Sequence, residues 1–371
     1  MKKIKTFAQI IFILCLAYLT VSAYSAEDVQ KKTVIQKGPY LQNVKTDAIT
    51  IMWETNAPGA SIVEYDEMET YSKIVKDDKE VTIHEVTLTG LEIEKTYYYK
   101  VTTGNASARG KFRTSPRRDT PFKFAVWGDN RTDVLSHTAV AQAIAKAKPD
   151  IAINVGDVVT NGEKYEQWGA EYFIPIGVFA RNVPTFIAIG NHEKNAHWYY
   201  DFVSQPGNEA WYSFDYGNAH FTIYDSNQDY TPGSEQYKWL KKDLASPEAQ
   251  NAAWRFVFKH HPEYSEGWDK PGYTGEPMMQ HFLKPLYEKN KVDIVFAGHT
   301  HDYERGFLKG VYYIITGGGG SSLDTFQQDF PHITVYKSEY EFCLVEINGN
   351  KLNFSVIKPN GELIDSFEIQ K

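Results

Sequence analysis

The stretch Val292-Asp293-Ile294-Val295-Phe296-Ala297-Gly298-His299-Thr300-His301 decides the fold of the larger part of this 371-residue chain. An apolar run ends at a glycine, and two histidines spaced two residues apart follow it. Similar apolar runs end in polar turns at four earlier places, which carry Asp129, Asp157, Asn191 and His260. Helix-like segments such as residues 140–148 lie between the runs. This alternation indicates an α/β layered fold, in which reactive side chains stand at the carboxyl ends of strands.

The side chains at these strand ends are typical of a metal centre. Carboxylate and amide oxygens are mixed with imidazole nitrogens, a donor set suited to Fe, Zn or Mn, with Mg as a further candidate. Two carboxylates and three imidazoles would be costly to bring together without cations, and two metal ions that share one carboxylate resolve this cost. In two-metal hydrolysis a metal-activated hydroxide attacks phosphorus while both ions neutralise its oxygens.

Five ordered blocks resemble the calcineurin-like metallophosphoesterases, and the last block is especially similar to purple acid phosphatases. The blocks are Gly156-Asp157, Gly190-Asn191-His192-Glu193, Ser234-Glu235-Gln236-Tyr237-Lys238-Trp239-Leu240, His260-His261-Pro262 and Gly298-His299-Thr300-His301-Asp302-Tyr303-Glu304-Arg305. The resemblance implies a four-layer α/β/β/α metallophosphoesterase domain over residues 119–371. It implies hydrolysis of small-molecule phosphate esters, with monoesters as the first expectation. A phosphodiesterase or nucleotide hydrolase on the same centre is the alternative.

The resemblance also implies a set of ligands for two metal ions. Asp157 bridges the two ions. Asp129 and His301 bind only the first ion, and Asn191, His260 and His299 bind only the second. His192 follows a ligand and is expected to point to the substrate. There it would stabilise the transition state or protonate the leaving oxygen, a task suited to an imidazole near neutral pH.

Two positions depart from the family pattern. Purple acid phosphatases have a tyrosine three residues after the bridging aspartate, where this chain has Thr160. Many relatives have a histidine two residues after the first aspartate, where this chain has Arg131. The first ion therefore loses one protein ligand. Arg131 either acts in catalysis by contacting the substrate phosphate, for which its forked donors are suited, or forms a structural ion pair. This loss also motivates a third hypothesis, a secreted binding protein with a degenerate phosphatase domain.

Residues 30–118 predict a smaller all-β domain that precedes the first. Strand-like runs with turn signals between them occur at residues 49–53, 61–65, 85–88 and 97–101. Leu91 followed by Tyr97 is typical of the tyrosine corner of immunoglobulin-like sandwiches. The pattern is similar to a fibronectin type III-like sandwich and, with Gly38-Pro39-Tyr40 and Trp53, to the N-terminal domain of purple acid phosphatases.

The first residues predict export. Three lysines before residue 6, an apolar run at residues 10–17 and small residues around Ala23 are typical of a cleaved signal peptide, here assigned to residues 1–26. The protein is therefore expected to be secreted or periplasmic, with no membrane contact beyond this peptide. A formal net charge of −8 argues against binding to nucleic acid through phosphate contacts.

Overall fold

The computed structural model describes residues 32–269 and 272–371. The predicted signal peptide, residues 1–26, lies outside the described residues. Within those two ranges, no helix combines the length and the apolar character needed to cross a membrane. The predicted fold class is confirmed, because an all-β domain is followed by two stacked sheets with helices on their outer faces. The division between residues 118 and 119 stays a prediction.

The strands of the described residues are β1 (Ile35–Gln42), β2 (Ala48–Asp66), β3 (Lys73–Thr89), β4 (Thr96–Thr103), β5 (Ala106–Arg113), β6 (Phe122–Trp127), β7 (Ile151–Asn154), β8 (Thr185–Ile187), β9 (Tyr212–Tyr216), β10 (Ala219–Ile223), β11 (Trp254–Phe258), β12 (Gly267–Trp268), β13 (Ile294–Ala297), β14 (Tyr303–Leu308), β15 (Val311–Thr316), β16 (Thr325–Phe326), β17 (Ile333–Lys337), β18 (Phe342–Asn348), β19 (Lys351–Ile357) and β20 (Leu363–Gln370). The helices are α1 (Val134–Ala147), α2 (Tyr165–Gln167), α3 (Ile174–Ile176), α4 (His197–Phe202), α5 (Glu235–Leu244), α6 (Pro247–Asn251), α7 (Pro277–Phe282) and α8 (Lys284–Lys289), with a π-helical segment at Trp168–Phe173 between α2 and α3.

Strands β1 to β5 form the N-terminal sheet, in the order β1-β2-β4-β5 with β3 paired to β2. The turn expected between residues 49–53 and 61–65 is wrong, because both runs belong to the single long strand β2. The pairing register with β3 shifts on either side of Gly59, which marks bulges in the strand. Bulges bend a strand without ending it, so the first part of β2 pairs with β1 and the second part with β4.

The predicted tyrosine corner is present in this domain. Tyr97 is 1% exposed, and its hydroxyl oxygen accepts a hydrogen bond of 3.0 Å from the backbone N–H of Glu92. Trp53 is fully buried, as its alternation with Ile49 and Ile51 predicts. The indole stacks on the ring of His84 at 4.7 Å between centroids.

Two larger sheets form the centre of the second domain. Their orders are β20-β19-β18-β6-β7-β8 and β17-β14-β15-β13-β11-β10-β9. They pack face to face through aromatic side chains, because Phe124 of one sheet contacts Phe256 and Phe221 of the other at centroid distances of 5.1 and 5.2 Å. Burial of each such side chain contributes about 1.5–3 kcal/mol. Helix α1 covers the outer face of the first sheet, and α5, α7 and α8 cover that of the second.

Each sheet contains a parallel core that ends at the same edge of the domain. Strands β6, β7 and β8 are parallel in the first sheet, and β10, β11, β13 and β15 are parallel in the second. The loops that follow β6, β7, β8, β11 and β13 carry the predicted ligands. The fold thus brings together side chains that lie up to 172 residues apart in the chain, from Asp129 to His301.

A buried charge cluster attaches α5 to this second sheet. His220 on β10 has a side chain only 4% exposed, with Nδ1 2.7 Å from Asp215 Oδ1 and Nε2 3.2 Å from Asp243 Oδ2. Burial by itself would lower the pKa of His220, but the hydrogen bonds to the two carboxylates outweigh it and raise the pKa from 6.5 to about 9. The histidine is therefore structural, and the folded protein holds its proton more tightly than the unfolded chain.

We expect this cluster to give the domain a stability that depends on pH. Because the folded pKa lies above the unfolded value, the contribution is fully present below pH 6.5 and is lost as the pH rises through about 9. Its size is on the order of 3 kcal/mol. Urea denaturation at pH 6 and pH 9.5 should show a steeper loss of stability in the wild type than in His220→Gln. The exposed His281→Gln is the control, and equal losses in wild type and His220→Gln would contradict the assignment.

Candidate metal centre

Three of the strand-end residues hold a backbone conformation that is unusual for residues other than glycine. The φ angles of Asp129, Asp157 and His299 are 54°, 56° and 73°. Such conformations cost on the order of 1–3 kcal/mol each and concentrate at functional sites. They are held here by hydrogen bonds within the site. The His299 N–H donates to Asp129 Oδ2 at 2.8 Å, and the Asp129 N–H donates to the Gly156 carbonyl oxygen at 2.9 Å.

Glycines before the ligands allow the loops to approach one another. Gly156 has a φ of 101°, and a Cβ there would lie 2.8 Å from both His260 Nδ1 and the backbone nitrogen of Gly190. A Cβ on Gly298 would lie 2.2 Å from Asp129 Oδ2. Neither space admits a side chain without displacement of a carboxylate, a ring or the backbone. The Gly-Asp, Gly-Asn and Gly-His pairs of the sequence therefore have a steric cause.

Four donors surround the position predicted for the second ion. His260 Nε2 lies 3.1 Å from Asn191 Oδ1 and 3.4 Å from Asp157 Oδ1. His299 Nδ1 lies 3.1 Å from Asn191 Oδ1 and 3.3 Å from His260 Nε2. Tetrahedral ligands at about 2.1 Å from a Zn²⁺ ion lie about 3.4 Å apart. The donors thus have the spacing of a metal coordination shell, and this position fits an ion.

Backbone carbonyls orient the imidazoles around the centre. His260 Nδ1 lies 2.9 Å from the Val155 carbonyl oxygen, and His301 Nδ1 lies 2.7 Å from that of Ser322. A carbonyl oxygen only accepts, so each Nδ1 carries the proton and donates it. Each Nε2 is then the atom left to face the centre, which is the arrangement that metal-binding histidines need.

The centre concentrates negative charge in a buried place. Asp129, Asp157 and His260 are buried, and their ligand atoms all lie within 4.8 Å of one another. Burial raises the pKa of Asp129 well above its usual value, and the charge of Asp157 raises it further. Burial would lower the pKa of His260, but the charges of Asp157 and Asp129 raise it to about 9. A bound cation would displace this proton, because a ligating imidazole must be neutral.

The position predicted for the first ion is different, because an arginine shares its donors. Asp129 Oδ1 lies 3.7 Å from His301 Nε2, and no donor among the described residues hydrogen-bonds to this buried oxygen. Arg131 Nε, however, donates to Asp157 Oδ2 at 3.2 Å, and Arg131 Nη2 lies 3.3 Å from His301 Nε2. An unpartnered carboxylate oxygen fits a metal ion, whereas a guanidinium on the other two donors does not.

Thr160 contributes to the site through its backbone carbonyl, because its side chain is used elsewhere. Its hydroxyl donates to Glu171 Oε2 at 2.9 Å. Its carbonyl oxygen lies 2.6 Å from His192 Nδ1 and therefore accepts the proton of that nitrogen. His192 Nε2 lies 3.9 Å from Asp157 Oδ2, and 29% of the His192 side chain is exposed. The residue that stands in place of a tyrosine thus orients the imidazole predicted to face the substrate.

Glu193 organises the loops under the centre, a role that the sequence motif does not reveal. Its side chain is fully buried. Oε2 accepts from the backbone N–H groups of Asp157 at 2.9 Å and Gly190 at 2.6 Å, and Oε1 accepts from that of Val158 at 2.8 Å. Burial, and then the charge of Asp157, raise the pKa of Glu193 to about 7. One carboxylate therefore joins the loops that carry Asp157 and Asn191.

The centre opens into a cavity of about 430 Å³. Residues of the predicted site line it together with others that the sequence did not indicate; they are Arg131, Asn191, His192, Trp268, Asp269, His299, His301, Ser322, Leu323 and Asp324. The rings of Trp268 and Tyr273 lie 5.0 Å from the ring of His299. Trp268 ends the two-residue strand β12 and Tyr273 lies in the segment after it, where no periodicity marks a residue as facing the site.

Two family models match the chain. The calcineurin-like phosphoesterase model matches residues 126–303, and the purple acid phosphatase N-terminal domain model matches residues 38–114. Similar sequences include probable inactive purple acid phosphatase 27 of Arabidopsis thaliana, which is 28% identical over 59% of this chain and 43% of that protein. A nucleotide pyrophosphatase/phosphodiesterase of Hordeum vulgare is 26% identical over 60% of this chain and 72% of that protein. This chain therefore spans less than half the length of the Arabidopsis relative.

A solved structure has the same fold. Purple acid phosphatase PPD1 from yellow lupin (Lupinus luteus) seeds superposes with a TM-score of 0.78, at 24% identity over 90% of this chain and 74% of that chain. The two family models match the chain in the order of its two domains, the N-terminal domain first. The agreement supports the two-domain architecture described above.

The role of Glu193 predicts the effect of a nearly isosteric change. Glu193→Gln replaces an accepting oxygen with an NH₂ group that would face a backbone N–H. Two buried donors that face each other leave at least one without an acceptor, which costs about 1–3 kcal/mol of stability. We expect a lower thermal midpoint and weaker metal binding at pH 8, measured by calorimetry. Glu163→Gln is the control, because this exposed glutamate pairs with Lys194, the residue after Glu193. A midpoint and affinity equal to those of the wild type would show that Glu193 does not hold the loops.

Proposed function

We propose that this chain, a purple acid phosphatase-like member of the calcineurin-like phosphoesterases, hydrolyses phosphate esters at a metal centre with two cation positions that share Asp157. One observation carries the proposal. Two buried carboxylates, an amide oxygen and imidazole nitrogens converge with the spacing of a coordination shell at the open end of a cavity. Such a donor set suits Fe, Zn or Mn.

In the proposed centre, Asp157 bridges the two positions, and the other ligands divide between them as the resemblance implies. Bound cations would neutralise the phosphate oxygens and activate the attacking water. The chain itself supplies alignment, because the carbonyl oxygens of Val155 and Ser322 fix the rings of His260 and His301. It also supplies a proton donor beside the ester.

His192 is the proposed donor. Its Nδ1 is held by the Thr160 carbonyl oxygen, and its ring lines the cavity beside Asp157. Protonation of the leaving oxygen by a positioned imidazole contributes about 10²–10⁴-fold to a rate. Arg131 lines the same cavity with a side chain 17% exposed.

A phosphomonoester is the proposed substrate, because the metal centre would contact only the phosphate group and requires no second ester group. The second candidate is a diester or a pyrophosphate such as a nucleotide, and two observations favour it. The name of the Hordeum vulgare relative describes such an activity. Trp268 and Tyr273 place aromatic rings beside His299, where a planar group could stack.

A degenerate binding protein is the remaining hypothesis, since the Arabidopsis relative is named inactive. The set of seven residues from Asp129 to His301, including His192, argues against it, because the structure brings all of them to one edge of the fold. We also propose that the protein is exported, because the lysines and the apolar run within residues 2–17 are typical of a signal peptide.

Activity should depend on metal and on Asp157. The purified protein is stripped with chelator, supplied separately with Mn, Zn, Fe or Mg, and assayed with an aryl phosphate and with bis(aryl) phosphate. We expect at least one metal to restore turnover, and the preferred ester separates the two substrate hypotheses. Asp157→Asn should abolish restoration because it removes the bridging charge, whereas the exposed Asp78→Asn should not. Full metal occupancy without turnover of either ester would favour the binding protein.

The role of His192 predicts a dependence on the leaving group. His192→Ala should keep its metal and lose kcat by about 10²–10⁴-fold on an alkyl phosphate, whose leaving oxygen needs a proton. The loss should be smaller on a nitrophenyl phosphate, whose leaving group departs as an anion. His197→Ala is the control, because His197 begins helix α4 just after that loop and its side chain is 68% exposed. Full activity of His192→Ala on both esters would exclude this mechanism.

A further inference from the structure

We infer that the guanidinium of Arg131 is the cation of the first position, so that the chain holds one tightly bound metal ion, at the second position. This inference deepens the proposed function and rests on the metal centre proposed there. In this arrangement a side-chain charge stands where relatives would bind an exchangeable ion.

Arg131 contacts two of the three residues assigned to the first position and leaves the Oδ1 atom of the third, Asp129, without a hydrogen-bond donor among the described residues. Arg131 Nε donates to Asp157 Oδ2 at 3.2 Å, and Arg131 Nη2 lies 3.3 Å from His301 Nε2. Because His301 Nδ1 donates to Ser322, Nε2 carries a lone pair and accepts from the guanidinium. The guanidinium therefore donates both to the carboxylate of Asp157 and to the imidazole of His301.

The loop that carries Arg131 is fixed on both sides of the side chain. The carbonyl oxygen of Asp129 accepts from the Ser321 N–H at 2.8 Å, and that of Arg131 accepts from Ser321 Oγ at 3.3 Å. Between them, Asn130 is fully buried and donates to the Val158 carbonyl oxygen at 3.0 Å. The backbone thus directs the guanidinium into the centre, where only 17% of the side chain is exposed.

The two cation positions differ in what competes for their donors. At the second position, Asn191 and His299 supply neutral donors, and within residues 32–269 and 272–371 neither side chain forms a hydrogen bond with an arginine or a lysine. At the first position, a metal ion bound to Asp157 Oδ2 and His301 Nε2 would lie against a permanent positive charge. An arginine does not lose its proton in proteins, so the repulsion persists at every accessible pH.

With a guanidinium at the first position, the two cation positions would have different roles in the reaction. Asp157, Asn191, His260 and His299 would hold a metal ion at the second position, which would supply the activated nucleophile. The guanidinium donors of Arg131 that do not face Asp157 and His301 would hold the ester phosphate from the other side. The orientation of the guanidinium is set by Asp157 before substrate arrives. The departure at position 131 is therefore a substitution of one cation for another, and it does not by itself mark a lost activity.

Metal stoichiometry tests this inference without reference to turnover. The wild type, Arg131→His and Arg131→Ala are loaded with Mn²⁺, passed over a desalting column and analysed for metal and protein. We expect about one ion per chain in the wild type, and about two in Arg131→His, because the imidazole removes the charge and adds a donor. In electron paramagnetic resonance, the wild type should give the spectrum of isolated Mn²⁺, and Arg131→His that of a coupled pair. Arg109→His, on the surface, is the control.

His301→Ala provides a second readout that does not require a change at position 131. In the wild type it should leave the stoichiometry unchanged, whereas in the Arg131→His background it should remove the added ion. Two ions or a coupled spectrum in the wild type would overturn the inference while leaving the proposed phosphoesterase intact. Failure of Arg131→His to gain an ion, with a thermal midpoint near that of the wild type, would also overturn it. No bound ion in any variant would overturn both the inference and the proposed metal centre.

Discussion

Two carboxylates of like charge lie buried at the ends of neighbouring strands, and the organisation of the centre follows from the need to balance them. Asp129 is fully buried and Asp157 nearly so. An isolated carboxylate in such a place would be very costly, so buried charges are paired or bind metal. Here His260, with its raised pKa, and Arg131 supply the compensating positive charge on two sides of Asp157. Glu193 keeps its own carboxylate on backbone N–H groups directly beneath.

The stacked sheets make this arrangement possible. Phenylalanines such as Phe124 and Phe256 fix the distance between the two inner faces, and the parallel strands of both sheets end at one edge. Loops from different sheets can then meet only if their backbones approach closely. Gly156 and Gly298 provide that approach, and the positive φ angles of Asp129, Asp157 and His299 represent strain that the fold tolerates at this edge.

Positions 131 and 160, where the chain departs from the family pattern, each contact a different part of the centre. Thr160 holds His192 with its carbonyl oxygen, and Arg131 contacts both Asp157 and His301. Neither residue is a metal ligand in this arrangement, yet each positions a group that the proposed reaction uses. The chain has the fold of the yellow lupin purple acid phosphatase, and in the inferred centre an arginine supplies part of the positive charge.

Much of this protein follows from the order of its residues. Apolar runs that end in Gly-Asp, Gly-Asn or Gly-His predict the strands, the layered fold and the edge at which Asp129, Asp157, Asn191, His260, His299 and His301 meet, because strand direction alone places them there. Other features depend on contacts between segments far apart in the chain. No local signal in the sequence predicts the bulges within β2 or the backbone N–H groups that donate to Glu193. The same holds for the position of the Trp268 ring beside His299 and for the ion pair of Arg131 inside the cavity. Tertiary packing decides them, since each depends on which distant donor or ring comes within a few ångströms.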